Sequence, residues 1–111
     1  MPRIQIQHPH KHGRINARDL ISMYEESFSS RYGLTTRWLH GILHVSRCGM
    51  KAKVEAHGNS VQVKVPRSGM TAKIDVRESQ LSVQVEIPWL LRGLLPKIER
   101  RIRNDLAFYV C

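Results

Sequence analysis

Arg47-Cys48-Gly49-Met50-Lys51-Ala52-Lys53-Val54-Glu55 leads to Val61-Gln62-Val63-Lys64-Val65, and then the pattern starts again. Arg67-Ser68-Gly69-Met70-Thr71-Ala72-Lys73-Ile74-Asp75 leads to Leu81-Ser82-Val83-Gln84-Val85. The two copies, 47–66 and 67–87, are offset by twenty residues with no gap. In each, two runs alternate apolar and polar residues around a short polar break, the pattern of a β-hairpin. Met50, Ala52, Val54, Ala56, Val61, Val63 and Val65 take one face, and Met70, Ala72, Ile74, Val76, Leu81, Val83, Val85 and Ile87 continue it. Lys51, Lys53, Glu55, Gln62, Lys64, Lys73, Asp75, Gln84 and Glu86 take the other. One apolar face and one polar face predict an antiparallel meander, half-solvated. His57-Gly58-Asn59-Ser60 and Arg77-Glu78-Ser79-Gln80 are the hairpin loops. Pro66 marks a break or an edge position between the hairpins.

The apolar face needs a cover, and helical patterns flank the repeat on both sides. Upstream, Ala17, Leu20, Ile21, Tyr24 and Phe28 recur at helical spacing. Asn16 is the N-cap, Asp19 complements the first turn, and Gly33 is placed to end the helix in the left-handed region. Downstream, Pro88 opens a segment whose Leu91, Leu94, Leu95, Ile98, Ile102, Leu106 and Tyr109 form one stripe at 100° per residue. Gly93 and Pro96 weaken its first turns, so regular helix is expected from Leu95 or Pro96. Asp105 falls inside the apolar stripe, with no local reason.

Further strands are expected at Arg3–Gln7, where Ile4 and Ile6 share a face, at Leu34–Leu39, and at Ile42–Cys48. His40-Gly41 is the turn between the last two, and Gly49 bends the chain into the repeat. The expectation is a single α+β domain over residues 1–111. It has an antiparallel meander sheet of about five to six strands, with two helices packed on one face.

The chain carries 18 Lys and Arg against 9 Asp and Glu, a formal charge of +9. That favours an anionic partner, nucleic acid or a lipid-coated surface. No apolar run is long enough to cross a membrane, and Met1-Pro2-Arg3-Ile4 does not begin a signal peptide, so the expected compartment is the cytoplasm. Cys48 and Cys111 are expected as free thiols.

No residue pattern supplies catalytic chemistry. Glu25 and Glu26 diverge on a helix. The histidines have no linked nucleophile and orienting carboxylate, and there is no glycine-rich phosphate loop or paired-cysteine zinc pattern. His8, His10 and His12 would share a face on a continued strand and could clasp a metal. Pro9 and Gly13 instead favour a solvated connector, and no Cys or carboxylate nearby completes a ligand set. The expectation is therefore a protein that is not an enzyme, with no cofactor and no metal.

The last segment is the most suggestive surface. Burying seven large apolar side chains is worth roughly 10–20 kcal/mol at ~1.5–3 kcal/mol each. The stripe is therefore assigned to the core. What remains for a partner is Arg92, Lys97, Arg100, Arg101 and Arg103, with Trp89 and Leu90 as an apolar contact.

An ordered set of residues resembles the polyhydroxyalkanoic acid system family. It runs through Ile4-x-Ile6, His10, Gly13 and Ala17-Arg18, then Arg31-Tyr32-Gly33 with Trp38. It continues through Arg67-Ser68-Gly69-Met70, Val83-x-Val85, Leu90-Leu91, and Ile98-Glu99-x-x-Ile102-x-x-x-Leu106. The resemblance implies small bacterial proteins encoded near storage-granule genes, and no catalytic residue comes with it. The family usually has one Arg-x-Gly-hydrophobic hairpin unit, whereas this chain has two, which would widen the sheet. Ile87-Pro88-Trp89 stands where the family tends to have Leu-Gly-Phe. By resemblance, the expected function is association with the granule surface or a granule protein. The alternatives are a basic nucleic-acid-binding module and a homo-oligomeric structural protein that pairs through an exposed edge beside the extra hairpin.

Overall fold

Tight turns fold the middle of the chain into one sheet. At His40-Gly41 (φ 52° and 77°) and Cys48-Gly49 (φ 49° and 81°) both turn residues lie in the left-handed region. That is the hairpin geometry whose twist matches its strands. The computed structural model describes residues 2–11 and 13–109, and only the backbone of Tyr109. Its strands are β1 (Arg3–Pro9), β2 (Thr35–Leu39), β3 (Ile42–Arg47), β4 (Met50–His57), β5 (Ser60–Val65), β6 (Met70–Val76) and β7 (Gln80–Glu86). The helices are α1 (Ala17–Tyr32) and α2 (Leu95–Tyr109), with a 3₁₀ segment at Trp89–Leu94 before α2.

All the strand pairs are antiparallel, in the order β1-β7-β6-β5-β4-β3-β2. The sheet thus has seven strands, not five to six. Pro66 does not interrupt it. Residues 66–69 form a turn in which the Ser68 and Gly69 amides donate to the Val65 carbonyl (3.2 and 3.0 Å), and Val65 pairs with Met70. Proline suits the second position of such a turn because its φ is already set. Cys48, expected at a strand end, lies in the β3–β4 turn and is an exposed free thiol. Cys111 lies outside the described residues.

The edges are β1 and β2, and both repeat hairpins are interior. The expected free edge beside the extra hairpin is therefore absent. Both hairpins gain neighbours because β3 pairs with β4 and β1 returns to pair with β7. β1 also runs further than expected, to Pro9, which an edge strand tolerates.

α1 lies in the connection between the two edge strands, β1 and β2. Its N-terminus is anchored. The Asp19 amide donates to Asn16 Oδ1 (2.8 Å), and the Ala17 amide donates to the Gly58 carbonyl of the β4–β5 turn (3.0 Å). At the other end, Gly33 (φ 64°) donates to the Ser29 carbonyl. Leu20 packs on Val76 and Leu81, with Tyr24 beside them. Phe28, placed on the buried stripe by periodicity, is exposed and packs against Tyr32 in a tilted arrangement, 4.7 Å between ring centroids.

The main core joins β1, β7 and the C-terminal segment. Ile4, Ile6, Val83, Val85 and Ile87 are buried, and Leu91, Leu95, Ile98, Ile102 and Leu106 pack against them. Leu94 is exposed, contrary to the projected stripe. Leu94 ends the 3₁₀ segment at its junction with α2, so a single 100° projection does not run through it.

Candidate functional site

Pro88 has φ −57° and ψ 149°, so it takes the chain off β7 in an extended conformation and starts a short 3₁₀ turn. Leu91 packs on the core, and the other large side chains of the segment are exposed. Leu90 is 98% exposed, Trp89 62% and Leu94 43%. Arg92, Lys97 and Arg100 are exposed beside this apolar knob. Among the described residues these three cations make no ion pair and no side-chain hydrogen bond.

The expected patch therefore divides. Trp89, Arg92, Lys97 and Arg100 are on the surface and available. Arg103 is also exposed, but it pairs with Glu99 one turn back at 3.6 Å. Such an exposed pair is worth little and opens easily. Arg101 is engaged elsewhere. Its Nε donates to the Tyr32 hydroxyl (3.0 Å), and its guanidinium lies 4.8 Å over the Tyr32 ring. That hydrogen bond and the partial charge of the Tyr32 oxygen hold the Arg101 pKa above its ordinary value, with Asp105 adding to the effect.

The Arg101 contact belongs to a clamp between the C-terminal ends of the helices. Tyr32 donates to Asp105 Oδ1 at 2.5 Å, and Arg31 approaches the same oxygen at 3.9 Å. Arg31 also lies 4.4 Å over the Phe108 ring. The acid in the apolar stripe of α2 is thus explained: it meets a phenol and a guanidinium group from α1, with Arg101, one turn back on α2, bonded to the same phenol. Sequence reasoning missed the clamp, although an unexplained Asp105 at a core position was a signal that a donor must face it. Leu94 was also missed as a surface group, because its spacing matched the stripe.

The histidine run is structural where it is described. His10 is buried, its Nε2 lies 2.5 Å from the Arg77 carbonyl, and its amide donates to the Ser79 carbonyl (3.0 Å). It ties the end of β1 to the β6–β7 loop. His12 lies outside the described residues. Among those described, no three His, Cys, Asp or Glu side chains gather as metal ligands. No helix in the described residues is long and apolar enough to cross a membrane.

What the site offers chemically is contact: exposed Trp89, Leu90 and Leu94, with exposed Arg92, Lys97 and Arg100 in and after the same segment. Comparison with curated proteins and with solved structures finds no match. A family model described as "Putative polyhydroxyalkanoic acid system protein" matches in two overlapping segments, residues 4–66 and 62–109. The overlap falls on β5 and the turn that follows it, at the junction between the two repeat copies. Taken together the segments run from β1 to the end of α2, and the chain belongs to the polyhydroxyalkanoic acid system family.

Proposed function

We propose that this chain is a non-enzymatic polyhydroxyalkanoate-system protein that attaches to the surface of storage granules through the Trp89–Leu94 segment. The observation that carries the reading is Leu90, 98% exposed between a largely exposed Trp89 and a half-exposed Leu94. Large apolar side chains exposed together in one short segment mark a contact surface. Arg92, Lys97 and Arg100 frame it as the cations of an interfacial segment frame its apolar side.

Magnitudes rank the parts. Burying Leu90 is worth about 1.5–3 kcal/mol, and Trp89 adds a larger area. Each cation near an anionic surface contributes about 1 kcal/mol. The apolar knob leads, and the cations orient it.

The test is flotation of granules from polymer-accumulating cells, followed by immunoblotting of the granule and soluble fractions. The parent protein is expected on the granules. Trp89→Ser with Leu90→Ser is expected to move most of it to the soluble fraction, with the thermal midpoint unchanged. Lys97→Glu with Arg100→Glu is expected to give a partial shift. Arg101 is left intact because its loss would disturb the clamp to Tyr32. A parent protein found only in the soluble fraction overturns the reading. A granule-bound Trp89→Ser, Leu90→Ser variant overturns the site.

A further inference from the structure

The face of the sheet turned away from the helices carries an ordered row of basic side chains. Strand register lines up Arg37 with His44, His44 with Lys53, and Lys53 with Lys64, across β2, β3, β4 and β5. The alternate residues Leu43, Val54 and Val61 point to the opposite, helix-bearing side. Arg37, Lys53 and Lys64 are exposed, and His44 is half-exposed. Among the described residues, Arg37, Lys53 and Lys64 form no ion pair. The exposed Lys51 lies one pleat away on β4.

Like charges placed directly opposite each other destabilise a sheet. Lys53 against Lys64 is such a pair, and no acid from the row's own register relieves it. Beyond Lys64 the row continues through Thr71 to Glu86, which is already paired with Arg3 at 2.8 Å. The field of these cations is felt one pleat away. The Glu55 carboxylate is held below its ordinary range, first by its hydrogen bond with His57 and further by the charges of Lys64 and Lys53.

We infer that the Arg37–His44–Lys53–Lys64 row is a binding site for the phosphate backbone of double-stranded nucleic acid. The cations form a line and not a field. An anionic lipid plane laid on this face would meet Glu55 and Asp75 as fully as the lysines, whereas a linear polyanion centred on the row meets the basic side chains of β2 to β5 first, and Glu86, further along it, is already paired with Arg3. Three inter-strand steps make about 14 Å, along which one strand of a duplex presents about four phosphates. The outward positions of the seven strands include no Phe, Tyr or Trp. Bases of a single strand would therefore find nothing to stack on, and a duplex needs no stacking. Contacts of this type read no sequence.

The site uses no residue of the Trp89–Leu94 segment, so it stands or falls independently of granule attachment. The test is fluorescence anisotropy of the full chain with a labelled random duplex of about 30 base pairs, titrated with KCl from ~50 to ~300 mM. The logarithm of the association constant is expected to fall against log[KCl] with a slope of about −3 to −4. Lys53→Gln with Lys64→Gln is expected to flatten the slope by about 2 and to weaken binding roughly fiftyfold near 0.1 M salt. Its thermal midpoint should stay close to the parent's, since relief of the like-charge pair is offset by loss of the two charges that favour ionised Glu55. Lys97→Glu with Arg100→Glu, on the helix side, should leave the slope unchanged. Absence of duplex binding at ~50 mM KCl, where phosphate contacts are least screened, overturns the proposal. So does a slope unaltered by Lys53→Gln with Lys64→Gln. So does binding of phosphatidylglycerol vesicles through these lysines when the duplex does not bind.

Discussion

The two copies of the repeated unit have nearly the same pattern and different fates. The second copy, β6 and β7, lies beside β1, and its Val76, Leu81, Val83, Val85 and Ile87 are all buried. The first copy, β4 and β5, lies further from α2, and of its inward residues only Val61 is fully buried, while Met50 is 47% exposed. Their outer faces differ in the reverse sense. The first copy carries Lys51, Lys53 and Lys64, and the second carries Lys73, paired with Asp75 at 3.9 Å. One copy supplies the core, and the other presents charge to solvent. Equal patterning therefore does not mean equal burial, because burial is set by what covers the strand.

The sharpest way to break this comparison is to truncate matched core positions. Ile87→Ala is expected to cost roughly 2–5 kcal/mol, since a fully enclosed site collapses poorly around a missing group. Val63→Ala, in the half-buried copy, should cost on the order of 1 kcal/mol. Denaturant unfolding of the two variants measures both. Equal losses would mean that the first copy is as well covered as the second.

A smaller effect is expected where the helices meet. Tyr32→Phe removes the donor to Asp105 and leaves a half-buried carboxylate without its shortest hydrogen bond. The expected cost is roughly 1–3 kcal/mol. Hydrogen exchange should show faster opening in the last turns of both helices, while the amides of β6 and β7 stay protected. Exchange that quickens uniformly would mean that the clamp supports the whole sheet.

The smallest effect concerns the charge on the first copy. Because the Glu55 pKa is depressed in the folded chain, its contribution is present above the ordinary carboxylate range and is lost as pH falls through the folded value. Lys64→Gln removes one of the charges responsible, so the Glu55 titration should move up towards its ordinary position. Carboxyl-carbon NMR of the two proteins reads the shift directly. A Glu55 titration that does not move would show that Lys64 contributes no field at this end of the row.

Much of this was legible in the residues. Alternation located the repeat strands, Asn16 and Gly33 marked the ends of α1, and the resemblance reached the family that the match establishes. The site was legible only in part. Lys97 and Arg100 follow from helical spacing, but Arg101 is drawn to Tyr32, a residue 69 positions away. Leu90 lies off the stripe, as its spacing predicts, but Leu94 projects at the junction of the 3₁₀ segment with α2, where a projection that assumes one helix type does not hold.

By itself, the sequence determined the local structure: which stretches are strands or helices, and which side of each is apolar. These depend on neighbours two to four residues apart, which a single chain displays directly. Only the tertiary structure decided that seven strands join one sheet, that β1 closes on β7, and that α2 enriches one repeat copy with burial. It alone placed Asp105 against Tyr32 and aligned Arg37, His44, Lys53 and Lys64. The reason is that cross-strand register and helix coverage bring together residues far apart in sequence, and no periodicity encodes such partners.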